Sequence, residues 1–122
     1  MAPVNTTLVT GASSGLREAA VAAALAALPE GQVCAALLEG LPDGHTHLVA
    51  STTLDLHRVA PACLCCTGNL VLRVTLNRIL RHRPDNLYIG VANTDHIDQL
   101  RSWLQHPPYD QLLVLTPDLH AS

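Results

Sequence analysis

The sequence predicts one α/β domain across residues 1–122, with a mostly parallel sheet between flanking helices in three layers. Three observations lead there. Strand-like and helix-like runs alternate along the chain, as they do where β-α units build a parallel sheet. The run Gln32–Leu38 is apolar at most positions, as a strand covered on both faces must be. Hydrophobic residues make up 48% of the chain, yet it has no Phe, one Trp and two Tyr, so the core must be built from Leu, Val and Ala.

Each element has its own justification. Thr6–Thr10 is a short β-branched strand, stopped by the turn Gly11-Ala12-Ser13-Ser14-Gly15. Leu16–Leu28 is an Ala-rich helix ended by Pro29 and Gly31, thin enough to sit close on a sheet. Gln32–Leu38 is the second strand, followed by the loop 39–44. His45–Pro61 is ambiguous, with a short strand near Leu48–Ala50 and another near His57–Ala60. From Asn69 to about His82, Leu72, Leu76, Ile79 and Leu80 recur at helical spacing, against a polar stripe of Arg73, Asn77 and Arg81. Leu87–Ala92 reads as a strand, Asp95–Gln105 as a helix stopped by Pro107-Pro108, and Leu112–Leu115 as the last strand. Pro107-Pro108-Tyr109-Asp110 is a turn into it, and Asp118–Ser122 reads as a frayed tail.

Composition excludes several functions. Net charge is −3 with no basic patch, against nucleic-acid binding. All seven basic residues are Arg, so a mechanism that needs lysine is ruled out. The apolar run Ala19–Leu28 has ten residues, about half of what a bilayer crossing requires, and lacks a basic leader. No membrane association and a cytoplasmic location are expected. Three of the four cysteines fall within Cys63-Leu64-Cys65-Cys66, too close to staple distant segments, which points to a metal or redox role in a reducing compartment.

A strand, a glycine-bearing turn and a helix form a setting in which backbone N–H groups can hold phosphate. Candidate phosphate-contacting residues are Gly11, Ala12, Ser13, Ser14, Gly15 and Arg17. Against the pattern G-x-x-x-x-G-K-[ST], however, Leu16 replaces the second Gly, Arg17 the Lys and Glu18 the hydroxyl residue. Arg17 is not equivalent to a lysine point charge, and Glu18 offsets the positive helix end. Thr10–Gly15 is also similar to the glycine turn of short-chain dehydrogenases, but that family's tyrosine–lysine pair cannot exist in a chain without lysine. A Gly-Ser turn that simply joins strand to helix needs no ligand.

The cysteine run with Thr67-Gly68-Asn69-Leu70 after it resembles the C-x-C-C signature of CobW-type proteins, in the CobW/HypB/UreG group of P-loop GTPases that deliver metals. Thr7-Leu8-Val9-Thr10-Gly11, a second strand ending near Glu39-Gly40, the segment Cys63–Leu80 and the strand Leu87–Val91 follow in the family's order. The resemblance implies a P-loop NTPase-like fold, GTP with magnesium as the ancestral ligand, and a metalloprotein client. It also implies zinc on Cys63, Cys65 and Cys66, with Glu39 as the family-matched fourth ligand; His57, His45 and His47 are alternatives to it. Three thiolates suit tetrahedral zinc.

Departures from the family pattern are equally informative. Besides the altered phosphate loop, the family's Glu-Thr-Thr-Gly reads Gly90-Val91-Ala92-Asn93, and no Asn-Lys-x-Asp motif follows. The expectation is a shortened relative that binds zinc as an accessory in metal handling and has lost efficient GTP hydrolysis. Two other readings stay open: a weak GTP-binding protein or GTPase with an atypical phosphate loop, and a thiol-redox or purely structural interaction domain. A homodimer could cover sheet surface that the missing family segment leaves open.

Overall fold

A computed structural model describes residues 3–40, 48–59, 70–92, 94–95 and 97–121. In chain order the elements are β1 (Val4–Gly11), α1 (Ser14–Ala26), β2 (Cys34–Glu39), β3 (Leu54–Val59), α2 (Leu70–Arg81), β4 (Asn86–Gly90), α3 (Ile97–Leu104), α4 (Tyr109–Leu112), β5 (Leu113–Leu115) and β6 (Leu119–Ala121). The strands form one six-stranded sheet in the order β3-β2-β4-β1-β5, with β6 also paired to β1. Every pairing among the described strands is parallel. The three-layer α/β architecture read from the sequence is the one observed.

Side-chain alternation along the strands sorts the core into two halves. Cys34, Ala36 and Leu38 of β2 pack with Val9, Tyr88 and Val21, beneath the alanines of α1. Ala35 and Leu37 pack with Leu8, Leu87 and Ile89 against Leu72, Leu76 and Ile79 of α2 and Leu100 and Leu104 of α3. All of β2 is buried, as a central strand with helices on both faces must be. On α2 the helical spacing holds: Leu72, Leu76 and Ile79 are fully buried, while Arg73, Asn77, Arg78 and Arg81 face outward.

Four local expectations need correction. The tail is not frayed: Leu119–Ala121 forms β6, paired to Val9–Gly11 of β1. Because β5 pairs only with Val4–Thr6, the far half of that β1 edge is open to a second short strand. The strand of the ambiguous region is Leu54–Val59, earlier than His57–Ala60, because its whole length pairs with Cys34–Glu39. Leu48–Ala50 is not a strand, although Leu48 is buried beneath α1's half of the core. Residues 109–112 form the short helix α4, so Leu112 precedes β5; Tyr109 anchors it by burying its ring and donating to Asn77 Oδ1 at 2.9 Å.

Candidate functional site

The C-terminal ends of the parallel strands form one edge, where open α/β sheets place their ligands. There β1 ends at Gly11, β2 at Glu39, β3 at Val59 and β4 at Gly90. The turn after Gly11 leads into α1, whose N-cap is Ser13: its Oγ accepts the Leu16 N–H at 3.1 Å. This satisfies one of the donors a helix start leaves open.

Gly11 is required by space. A Cβ there would lie 2.9 Å from Ala121 Cβ and 3.2 Å from Arg17 Cγ. Thus β6 and the stem of Arg17 both close on the end of β1. His120, the neighbour of Ala121, meets Thr10 Oγ1 through Nδ1 at 2.9 Å.

Arg17 is only 5% exposed. Its two terminal amines donate to the Gly11 carbonyl at 2.9 Å and to the Glu39 carbonyl at 3.4 Å, spanning the gap between the ends of β1 and β2. Burial pushes the guanidinium's pKa down, and the nearby Glu39 and Glu18 carboxylates pull it back up. Gly40 turns the chain beside this crossing: its φ of +103° favours glycine, while a Cβ there would meet the Arg17 guanidinium at an ordinary contact distance of 3.5 Å.

Glu18 turns the other way. Its carboxylate, 2% exposed, takes two hydrogen bonds from Arg58 of β3, at 2.8 and 3.0 Å. That bond pushes the Arg58 pKa up, burial works against it, and the Glu18 charge adds to the rise. Both charged residues of the α1 segment Leu16-Arg17-Glu18 are therefore engaged inside the protein.

Glu39 is likewise buried, with Oε1 accepting the Ala92 N–H at 2.7 Å. By alternation its side chain shares a sheet face with Leu37, and its register partner on β3 is Val59. The Gly40 N–H bonds the Val59 carbonyl at 2.9 Å. The chain thus leaves β3 beside Glu39, and Cys63 follows Val59 by four positions in sequence. Cys63, Cys65, Cys66, His45 and His47 lie outside the described residues. Among the described residues no three potential metal-binding side chains converge.

His57 lies on β3 opposite Leu37, on the same face as Glu39. Its Nε2 is 2.9 Å from Asp55 Oδ1 but is poorly aligned for a hydrogen bond and has no hydrogen-bond partner among the described residues. Cys34 is far from this edge, at the start of β2, where it behaves as a small core side chain.

Two members of this edge had no sequence signal. The Ala92 donor is a backbone group placed by the pairing of β2 with β4, and Arg58 stood in a region of ambiguous structure. Gly90, at the position where the family pattern has Glu, packs closely against Leu38: a Cβ would come within 3.1 Å of Leu38 Cδ2. Among the described residues, no helix is long and apolar enough to cross a membrane. No family model, curated protein or solved structure matches this chain significantly.

Proposed function

We propose that this chain is a zinc-binding accessory of metal handling, on a CobW-like scaffold that no longer turns over GTP efficiently. The observation that carries the reading is the buried Arg17 guanidinium, held by the Gly11 and Glu39 carbonyls across the place where a phosphate loop works. A phosphate-binding cation must be free to reach its ligand; this one holds two strand ends together. Glu18 is committed to Arg58, and Gly90 offers magnesium no carboxylate. These residues do not fit GTP with magnesium.

The donor chemistry does fit zinc. Cys63, Cys65 and Cys66 supply thiols, and Glu39 ends the strand whose neighbour, β3, leads into the cysteine segment. Zinc bound there would be held as cargo or as a structural ion, and a metalloprotein client would receive it in the first case. Thiolate ligation releases protons, so binding weakens as pH falls.

The test is the metal content of anaerobically purified protein beside a C63A/C65A/C66A variant. About one zinc per chain, lost in the variant, supports the reading. Absence of metal from both proteins, even after zinc reconstitution, would overturn it in favour of a thiol-redox or structural role. Magnesium-dependent GTP binding at micromolar concentration would overturn the loss of nucleotide function.

A further inference from the structure

At the opposite, N-terminal end of the strands lies a cleft of about 930 Å³. It runs between the starts of β1 and β4, the end of α2 and helix α4. Its volume falls within the range of small-molecule sites. Leu80 and Leu112 give it apolar wall, and Leu112 keeps 43% of its surface exposed. Arg81 and Arg83 stand on its rim, and neither forms an ion pair among the described residues. The acid nearby, Asp85, is already engaged through Oδ2 with the Val33 N–H at 2.8 Å. Asn86 is fixed by donating to Gln32 Oε1 at 2.7 Å, so its amide lines the cleft in a set orientation.

Arg83 adds an independent observation. Its φ is 52°, the left-handed conformation in which α2 ends, and its N–H caps the Leu80 carbonyl at 3.1 Å. Glycine takes this conformation without strain, whereas a side chain there costs stability. An arginine nevertheless occupies this position, exposed and lining the cleft, with the buried Pro84 fixing the chain behind it.

The geometry points to a binding site for a small organic anion, a carboxylate or phosphate carried on an apolar or planar group. Planar guanidinium forks match such oxygen anions, and the leucine wall takes the apolar part. The cleft lies at the opposite end of the sheet from Gly11, Glu39 and Gly90, and anion binding there does not require zinc.

The probe is 1-anilinonaphthalene-8-sulfonate, an aromatic anion, followed by fluorescence and by backbone amide shifts. Phenyl phosphate, benzoate and inorganic phosphate serve as competitors. The expected result is saturable binding that shifts Arg81, Arg83, Asn86 and Gln111, with either aromatic anion displacing the probe better than inorganic phosphate. Stronger displacement by phenyl phosphate or by benzoate then identifies the head group. Arg81→Ala and Arg83→Gly should each weaken binding about fivefold or more, consistent with loss of a charge-assisted contact. Arg83→Gly also relieves the backbone, so its melting temperature should not fall. Unchanged affinity in both variants, or shifts centred on the exposed Leu70, Val71 and Val74 of α2, would overturn the site.

Discussion

Glu39 Oε1 accepts the Ala92 N–H at 2.7 Å, so one buried carboxylate joins the C-terminal ends of β2 and β4. Glu39→Gln keeps an oxygen at that bond and removes the charge. It should fold like the parent and bind zinc at least about 10–100-fold more weakly, the loss that follows when even a group hydrogen-bonded to a metal ligand is altered. Glu39→Ala leaves the Ala92 N–H without this acceptor and should cost about 1–3 kcal/mol. Competitive zinc titration and urea unfolding separate the two effects. Wild-type zinc affinity in Glu39→Gln would remove Glu39 from the ligand set.

Arg58 and Glu18 connect the edge strand β3 to α1, one turn in from its start. Removing one partner of a buried pair costs about 3–5 kcal/mol, because the other charge stays buried. Arg58 keeps 24% of its side chain exposed, so Arg58→Ala should fall near the lower limit of that range, which is about 3 kcal/mol. The double variant Glu18→Met/Arg58→Met should be more stable than Arg58→Ala alone, because no charge is stranded. Urea midpoints for the three proteins test this. A double variant less stable than the single would show that the pair contributes more than it costs.

The sequence carried the layered fold in its side-chain periods. The apolar run from Gln32 and the spacing of Leu72, Leu76 and Ile79 are local patterns; the helix spacing was observed with its expected burial, and the strand with its burial from Cys34 onward, Val33 being exposed. The three residues Leu119-His120-Ala121 have no such pattern. They form a strand because β1 extends beyond β5 and offers open backbone groups at Val9–Gly11, a tertiary circumstance. At the candidate site, the altered residues Leu16, Arg17 and Glu18 were legible as departures from a phosphate loop. Where Arg17 and Glu18 go instead depends on which strands lie beside β1. The partners Ala92 and Arg58 come from elements 53 and 40 positions away from the residues they bind.

Gly11 and Ala121 test whether β6 is firmly seated. Gly11→Ala places a methyl group 2.9 Å from Ala121 Cβ, closer than carbon atoms tolerate. Overpacking of this kind costs about 1–3 kcal/mol. Adding Ala121→Gly removes the nearest clash and should recover part of the loss; the Ala121 carbonyl and Arg17 Cγ still crowd the new methyl. Urea unfolding gives the energies, and hydrogen exchange at Leu119–Ala121 should accelerate in Gly11→Ala. Unchanged exchange there would mean that Arg17, rather than β6, yields to the methyl.

Cys34 and Tyr88 share α1's half of the core and make stability sensitive to alkali. Burial pushes the Cys34 thiol up, against the Asn86 hydrogen bond and with the help of Asp85. Burial also pushes Tyr88 up, and the neighbouring Cys34 adds to it. Both groups therefore hold their protons more tightly in the folded chain than in the unfolded one. The resulting stability is complete below the unfolded pKa and declines as pH rises toward the folded one. For Cys34 the decline starts near pH ~8.5, and for Tyr88 near pH ~10. Urea midpoints measured from neutral pH to beyond these values should fall in that order. Cys34→Ala should remove the first part of the decline and leave the tyrosine part. The same slope in both proteins would show that the thiol is not the group being protected.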